Sequence, residues 1–124
     1  MGIAFNEQDP LHEPVPLRVV DIREQTAVSE APYTNFPLAL VNDHVVRVSV
    51  MTESFYWHFH PNSDESFLAV EGSIFIDLED GTIELYPGQL FTIPKNTKHR
   101  TRPNGKRSVN LTFEKKDMET VRTD

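Results

Sequence analysis

The clearest pattern along the chain is alternation with a period of two, in short runs. In His44–Met51, Val46, Val48 and Val50 fall on one side, while Arg47, Ser49 and Met51 fall on the other. In Ser73–Glu79, Ile74, Ile76 and Leu78 lie together, opposite Phe75, Asp77 and Glu79; in Thr82–Tyr86, Ile83 shares a side with Leu85. Successive side chains of a strand point to opposite faces, so these runs predict β-strands, although the period alone does not say which face is interior. Phe55–His60, Ser66–Val70, Leu90–Ile93, His99–Thr101 and Ser108–Phe113 read the same way. Turn residues separate them: Pro61-Asn62-Ser63-Asp64, Glu71-Gly72, Asp80-Gly81, Pro87-Gly88, Pro94-Lys95-Asn96 and Pro103-Asn104-Gly105. Asp80-Gly81 is a hairpin signal, because Gly tolerates the positive φ of a type I′ turn. Short strands every ~8–12 residues, with no helical run between them, predict an all-β sandwich or barrel.

The two ends read differently. Residues 1–37 hold five of the nine prolines (Pro10, Pro14, Pro16, Pro32 and Pro37), which lack an N–H for a ladder. They predict an extended arm carrying one strand, Leu17–Ile22. The stretch from Glu114 to Asp124 is charged and poor in apolar residues, which predicts a solvated tail or a short terminal helix. A length of 124 residues suits a single domain over 1–124, with the arm at 1–37, the barrel at about 40–114 and the tail at 115–124.

Composition removes several classes. A net charge of −7 disfavours nucleic acid, whose phosphates call for clustered cations. Without cysteine there is no disulfide, thiolate nucleophile or Cys-ligated metal. No apolar run approaches the ~20 residues needed to cross a bilayer, and MGIAFNEQDP lacks the features of a leader, so a cytoplasmic protein is expected.

The chemistry concentrates in WHFHPNSDESFLAVEG. Two apart on a strand, His58 and His60 project their imidazoles to one side, about 6.5–7 Å apart at the backbone. That allows two ring nitrogens to converge on one ion at ~2.0–2.1 Å each. After four turn-forming residues, a tight reversal would set Glu65 opposite the histidines, and His99 opens a later strand. Three imidazoles and a carboxylate form a mixed N/O site for one divalent transition metal per subunit (Fe, Mn, Zn or Ni), leaving two positions of an octahedron open. A regular strand puts Tyr56 on the same side as His58 and His60, as a candidate acid or substrate contact. Trp57 and Phe59 point the other way, to pack against the arm or a second subunit. Arg47, Arg100 and Arg102 are weaker candidates for holding an acidic substrate, His12 and His44 have no partners in sequence, and Lys95, Lys98, Lys106 and Arg107 read as a solvated rim.

These residues carry a family resemblance. His58, His60, Glu65 and Gly72 resemble the first cupin motif, and Gly88 with Pro94-Lys95-Asn96-Thr97-Lys98-His99 resembles the second. The likeness extends over about 40–114, and the chain is similar to small cupins, including mannose-6-phosphate isomerase-like ones. Thr52 stands where a Gly is usual, Asn96 replaces another Gly, and Pro103 takes the place of an Asn. Asn also visits positive φ, so Asn96 is a mild departure. The resemblance implies a double-stranded β-helix (jelly-roll) barrel, commonly a homodimer, with a metal held by His58, His60, Glu65 and His99. The function expected is a metalloenzyme acting on a small molecule, by dioxygenase chemistry or as a Lewis-acid isomerase, cyclase or decarboxylase. A non-catalytic binding module is the alternative.

Overall fold

The computed structural model describes residues 4–5, 14–27, 29 and 31–124. His12 lies outside them. Elements follow in the order β1 (Ala4–Phe5), α1 (Ile22–Thr26), β2 (Tyr33–Val41), β3 (His44–Met51), β4 (His58–Phe59), β5 (Glu65–Leu78), β6 (Gly81–Leu85), β7 (Leu90–Ile93), β8 (His99–Lys115) and β9 (Val121–Arg122). The architecture is all-β, as the alternation predicts. No helix among the described residues is long and apolar enough to cross a membrane.

The two long strands organise the rest. The first half of β5 pairs with β7 on one side and with the end of β8 on the other; its second half pairs with β6 and with the start of β8. Between the halves the register breaks twice, from Ala69 to Ser73. Such bulges bend a strand. One layer therefore runs β1-β2-β3-β8-β5-β7 and the other β9-β4-β8-β5-β6. Gly72 makes the bend feasible. Its φ is +67°, and a Cβ there would lie 2.6 Å from the Arg107 carbonyl oxygen.

Two apolar clusters follow from the alternation. Met51, Phe67, Ile74, Ile76, Leu85 and Ile93 form one, and Phe36, Leu38, Val48, Val50, Val109 and Leu111 the other, with Val20 and Ile22 packed onto it. On β3 the valines thus pack outward beneath the N-terminal segment, and Arg47, Ser49 and Met51 face a cavity.

Several expectations need correction. Leu17–Ile22 is not a strand. Leu17 sits at φ +61° and is fully exposed, while Asp21 caps α1 by accepting from the Glu24 amide at 3.0 Å. The Asp21-x-x-Glu24 spacing is an N-cap signal that outweighs the apolar run before it. The arm also contains β2. Among the described residues β1 pairs with Thr34 and Asn35 and not with Pro37, where a proline lacks an N–H to give, and a register shift follows Pro37 in the ladder with β3. Glu71-Gly72 and Pro103-Asn104-Gly105 are not turns but positions within β5 and β8; Pro103 pairs with Ile74, beyond the contact of β4 at His99. The turn before Gly81 is formed by Glu79 and Asp80, with neither at positive φ, so it is not type I′. Asn96 does take the left-handed conformation, at φ +66°.

The C-terminal stretch is solvated from Lys115 onward, as one of the two expectations had it, but it is ordered against the barrel and is not a helix. β8 runs to Lys115, Glu114 is buried, and β9 pairs with β4 through His58↔Arg122 and Phe59↔Val121. Trp57 is therefore held by its own chain: its carbonyl accepts from the Thr123 amide at 2.9 Å, and Lys98 and Arg100 lie over its ring.

Candidate metal centre

Four buried side chains converge between the layers. His58 is in β4, His60 follows it, Glu65 opens β5 and His99 opens β8, directly opposite His58. One ligand atom from each lies within 4.8 Å of all the others. Glu65 does not reach this point by the tight antiparallel return expected from sequence. β4 pairs with β8 and β9, whereas Glu65 pairs with Ile93 of β7, so the chain crosses from one layer to the other through 61–64 and Glu65 approaches from across the interior.

The rings are oriented by main-chain oxygens. Nδ1 of His58 donates to the Tyr56 carbonyl at 2.8 Å, Nδ1 of His60 to the Glu119 carbonyl at 2.9 Å and Nδ1 of His99 to the Thr97 carbonyl at 2.8 Å. A carbonyl only accepts, so each Nδ1 carries hydrogen, and in the neutral ring Nε2 keeps its lone pair. Nε2 of His60 lies 3.1 Å from Oε1 of Glu65. Nε2 of His99 is 3.4 Å from the same oxygen, buried and without a hydrogen-bond partner. A buried nitrogen lone pair without a donor is costly, and a cation at the centre removes that cost. Three imidazole nitrogens and one carboxylate fit a divalent transition ion.

The electrostatics differ from ring to ring. Burial, reinforced by the neighbouring His99 ring, pushes the His58 imidazole down to about 4, so it stays neutral. For His60, burial pulls downward but the Glu65 carboxylate prevails and raises it. Burial opposes ionisation of Glu65; the His60 and His99 rings overcome it and hold the carboxyl below its ordinary value.

A cavity of about 310 Å³ opens beside the cluster. Tyr56 lines it half-buried, in irregular chain rather than a strand, stacked on Phe55 at 4.1 Å, and the Arg122 guanidinium lies over the Tyr56 ring at 4.7 Å. Burial raises the Tyr56 hydroxyl above its usual value, which keeps it a donor. Arg47 also lines the cavity, donating to Oδ1 of Asn35 at 2.9 Å and lying 3.6 Å from Glu114. Arg100 and Arg102 do not: both clamp Asp77, at 3.0 and 2.9 Å, and hold its carboxyl well below the carboxylate range. Arg107 is no rim residue either, since it bonds Glu71 and the Thr26 carbonyl. His44 is exposed against Asp43.

Sequence reasoning missed a polar set on the cavity wall: Tyr33, Asn35, Ser49, Asn110, Thr112 and Glu114. The signal was present in Val109-Asn110-Leu111-Thr112-Phe113-Glu114, a strict alternation whose polar side faces inward. Tyr33, bonded to Ser49 and Asn35, is pushed up to about 12, mainly by burial. Burial, and then the Glu65 charge, raises Glu114.

Comparison with known proteins decides the family, since residues 44–113 match the model of the Cupin domain family, Cupin_2. The chain is a cupin. The uncharacterized protein YdbB of Bacillus subtilis is 47% identical to it over 90 residues, 72% of this chain and 79% of YdbB. A cupin-2 domain containing protein of Shewanella frigidimarina shares the fold with a TM-score of 0.74 at 23% identity, over 79% of this cupin and 95% of that chain. The polyketide cyclase RemF of Streptomyces resistomycificus does so with a TM-score of 0.67 at 20% identity, over 75% and 72%. Both structural likenesses show the fold alone: the cupin double-stranded β-helix. This cupin keeps its buried His/Glu cluster between the two layers of that barrel.

Proposed function

We propose that this cupin is a metal-dependent enzyme acting on a small organic molecule, with His58, His60, Glu65 and His99 as the ligands of one divalent transition ion. The supporting observation is the buried, unpartnered Nε2 of His99, in a cluster whose other two rings have the same main-chain anchoring. An ion bound to these residues supplies Lewis-acid polarisation of a substrate oxygen or, if redox-active, a route to oxygen chemistry. The chain's own contribution is positional. The cavity lies at the lower end of the volumes typical of small-molecule sites, about 300–1,000 Å³. Phe55, Phe67 and Met51 give it an apolar side that excludes water, and the Tyr56 hydroxyl is the proposed acid or substrate contact. RemF, a cyclase by name, shares the barrel, so this fold hosts ring-forming chemistry elsewhere.

A homodimer in the cytoplasm belongs to the same proposal. Leu17, Val19, Leu40 and Val41 are exposed apolar residues that a second copy would cover. Elemental analysis of untagged protein tests the metal, and an oxygen electrode then separates the chemistries. Iron with substrate-dependent oxygen uptake supports the oxygenase form; zinc, nickel or manganese with turnover in the absence of oxygen supports the Lewis-acid form. Bound metal and ligand without turnover would establish a binding module instead.

A further inference from the structure

One wall of the cavity is a ladder of three alternate residues on β8. Asn110, Thr112 and Glu114 are 1%, 3% and 4% exposed, and all line the cavity. Among the described residues, both amide atoms of Asn110, Oγ1 of Thr112 and Oε1 of Glu114 have no hydrogen-bond partner. The neighbouring polar residues behave differently. Arg47 donates to Asn35 at 2.9 Å, Asn35 donates to Ser49 at 2.9 Å, and Tyr33 joins Ser49 at 3.2 Å. That network spans β2 and β3 and meets the β8 ladder where Nε of Arg47 lies 3.6 Å from Oε2 of Glu114. The Asn110 amide, Oγ1 of Thr112 and Oε1 of Glu114 stay open among the described residues. Buried polar atoms left without partners are rare and destabilising, so the four that line this cavity call for an occupant that satisfies them.

The chemistry of the open atoms restricts that occupant. Asn110 Nδ2 donates and Oδ1 accepts, a hydroxyl such as that of Thr112 does both, and a carboxyl oxygen such as Glu114 Oε1 accepts. A carboxylate or sulfate group only accepts. It would leave Asn110 Oδ1 without a donor. A molecule with a carbonyl next to hydroxyl or N–H groups answers donors and acceptors together. We infer that Asn110, Thr112 and Glu114 form a specificity-determining rail. It selects a small neutral molecule bearing a carbonyl and adjacent hydroxyl or N–H groups over an acceptor-only anion such as a carboxylate or sulfate. The inference rests on the small-molecule site proposed above, and the binding it describes does not require the ion.

Side-chain amide signals of Asn110 in labelled protein provide the test. Dihydroxyacetone and ribose serve as neutral probes, acetate and sulfate as anions, each titrated into metal-free and metal-treated protein. The neutral probes are expected to move the Asn110 signals in both states, and the anions to leave them in place. Asn110→Leu should weaken neutral-probe binding, measured by calorimetry, by about tenfold, as expected for two lost hydrogen bonds. Thr112→Val guards against a folding defect: it removes a hydroxyl without a protein partner, so binding should weaken a few-fold while thermal stability holds or rises. Stronger perturbation by the anions, unchanged affinity in both variants, or no response to any probe would overturn the rail. Metal content is measured separately on the same samples, so a failure of the metal reading remains distinguishable from a failure of the rail.

Discussion

Nδ1 of His60 donates to the carbonyl of Glu119, 59 residues further along the chain, and Oγ1 of Thr120 lies 3.2 Å from the same nitrogen. A terminal stretch with little apolar content thereby fixes a ring in the buried cluster.

Deleting residues 117–124 is therefore expected to weaken metal binding by about 10–100-fold, the usual cost of losing a partner that orients a ligand. Competition against a coloured chelator measures it. Undiminished affinity in the truncated chain would show that the Glu119 contact is incidental.

His99→Ala removes the one fully buried ring of the cluster. The wild type should gain about 2.7 kcal/mol of stability when free metal exceeds Kd a hundredfold. The variant, compared with its own metal-free baseline, should gain almost nothing. Thermal melts with and without added zinc give the comparison; an equal gain in both proteins would remove His99 from the ligand set.

The pH response follows from the sign of each shift. His58 is depressed when folded, so metal-free protein binds fewer protons than the unfolded chain between its ordinary value near 6.5 and about 4. Its contribution is full above 6.5 and is lost as pH falls, by up to about 3 kcal/mol. Glu65, also depressed, adds a loss at lower pH, while the raised His60 acts oppositely, its contribution fading as pH rises. Glu114, raised by burial and the Glu65 charge, opposes the loss as well, so the His58 contribution is read as a difference in chemical unfolding. From pH 6.5 to 4, metal-free wild type should lose stability relative to His58→Gln. Bound metal should leave below about pH 6, because its ligands must be neutral imidazoles. A full equivalent still bound at pH 4 would contradict the assignment.

Gly72→Ala places a methyl 2.6 Å from the Arg107 carbonyl oxygen in a backbone with φ +67°. A loss of about 1–3 kcal/mol is expected for such strain, read as a lowered melting temperature. Wild-type stability would mean that the bend between the layers relaxes freely.

The four clustered residues were legible because ligand chemistry, short turns and strand parity coincide: His58 and His60 share a side, and Glu65 and His99 each begin a strand after a proline-containing turn. The approach of Glu65 from the opposite layer was not, since Pro61-Asn62-Ser63-Asp64 reads equally as a hairpin or a crossing. The polar wall was missed for a different reason. Burial ordinarily selects the apolar side of an alternating strand, and in β3 and β8 the apolar sides of Val46–Val50 and Val109–Leu111 are indeed covered, but from outside, by Val20 and Ile22. That leaves Ser49, Asn110 and Thr112 to line the interior. β8 looked like two strands because Pro103-Asn104-Gly105 mimics a turn, yet proline is tolerated where the ladder on its N–H side has ended.

The oxygens that steer the three imidazoles belong to peptide groups at Tyr56, Thr97 and Glu119, and no side-chain replacement at those positions deletes a peptide oxygen. Ring orientation is thus insulated from most point mutations while being exposed to insertions or deletions that reroute 54–57, 95–98 or 117–120. In relatives of this barrel, changes in the lengths of those connections, rather than changes of residue type within them, would be the route by which the centre is retuned or lost.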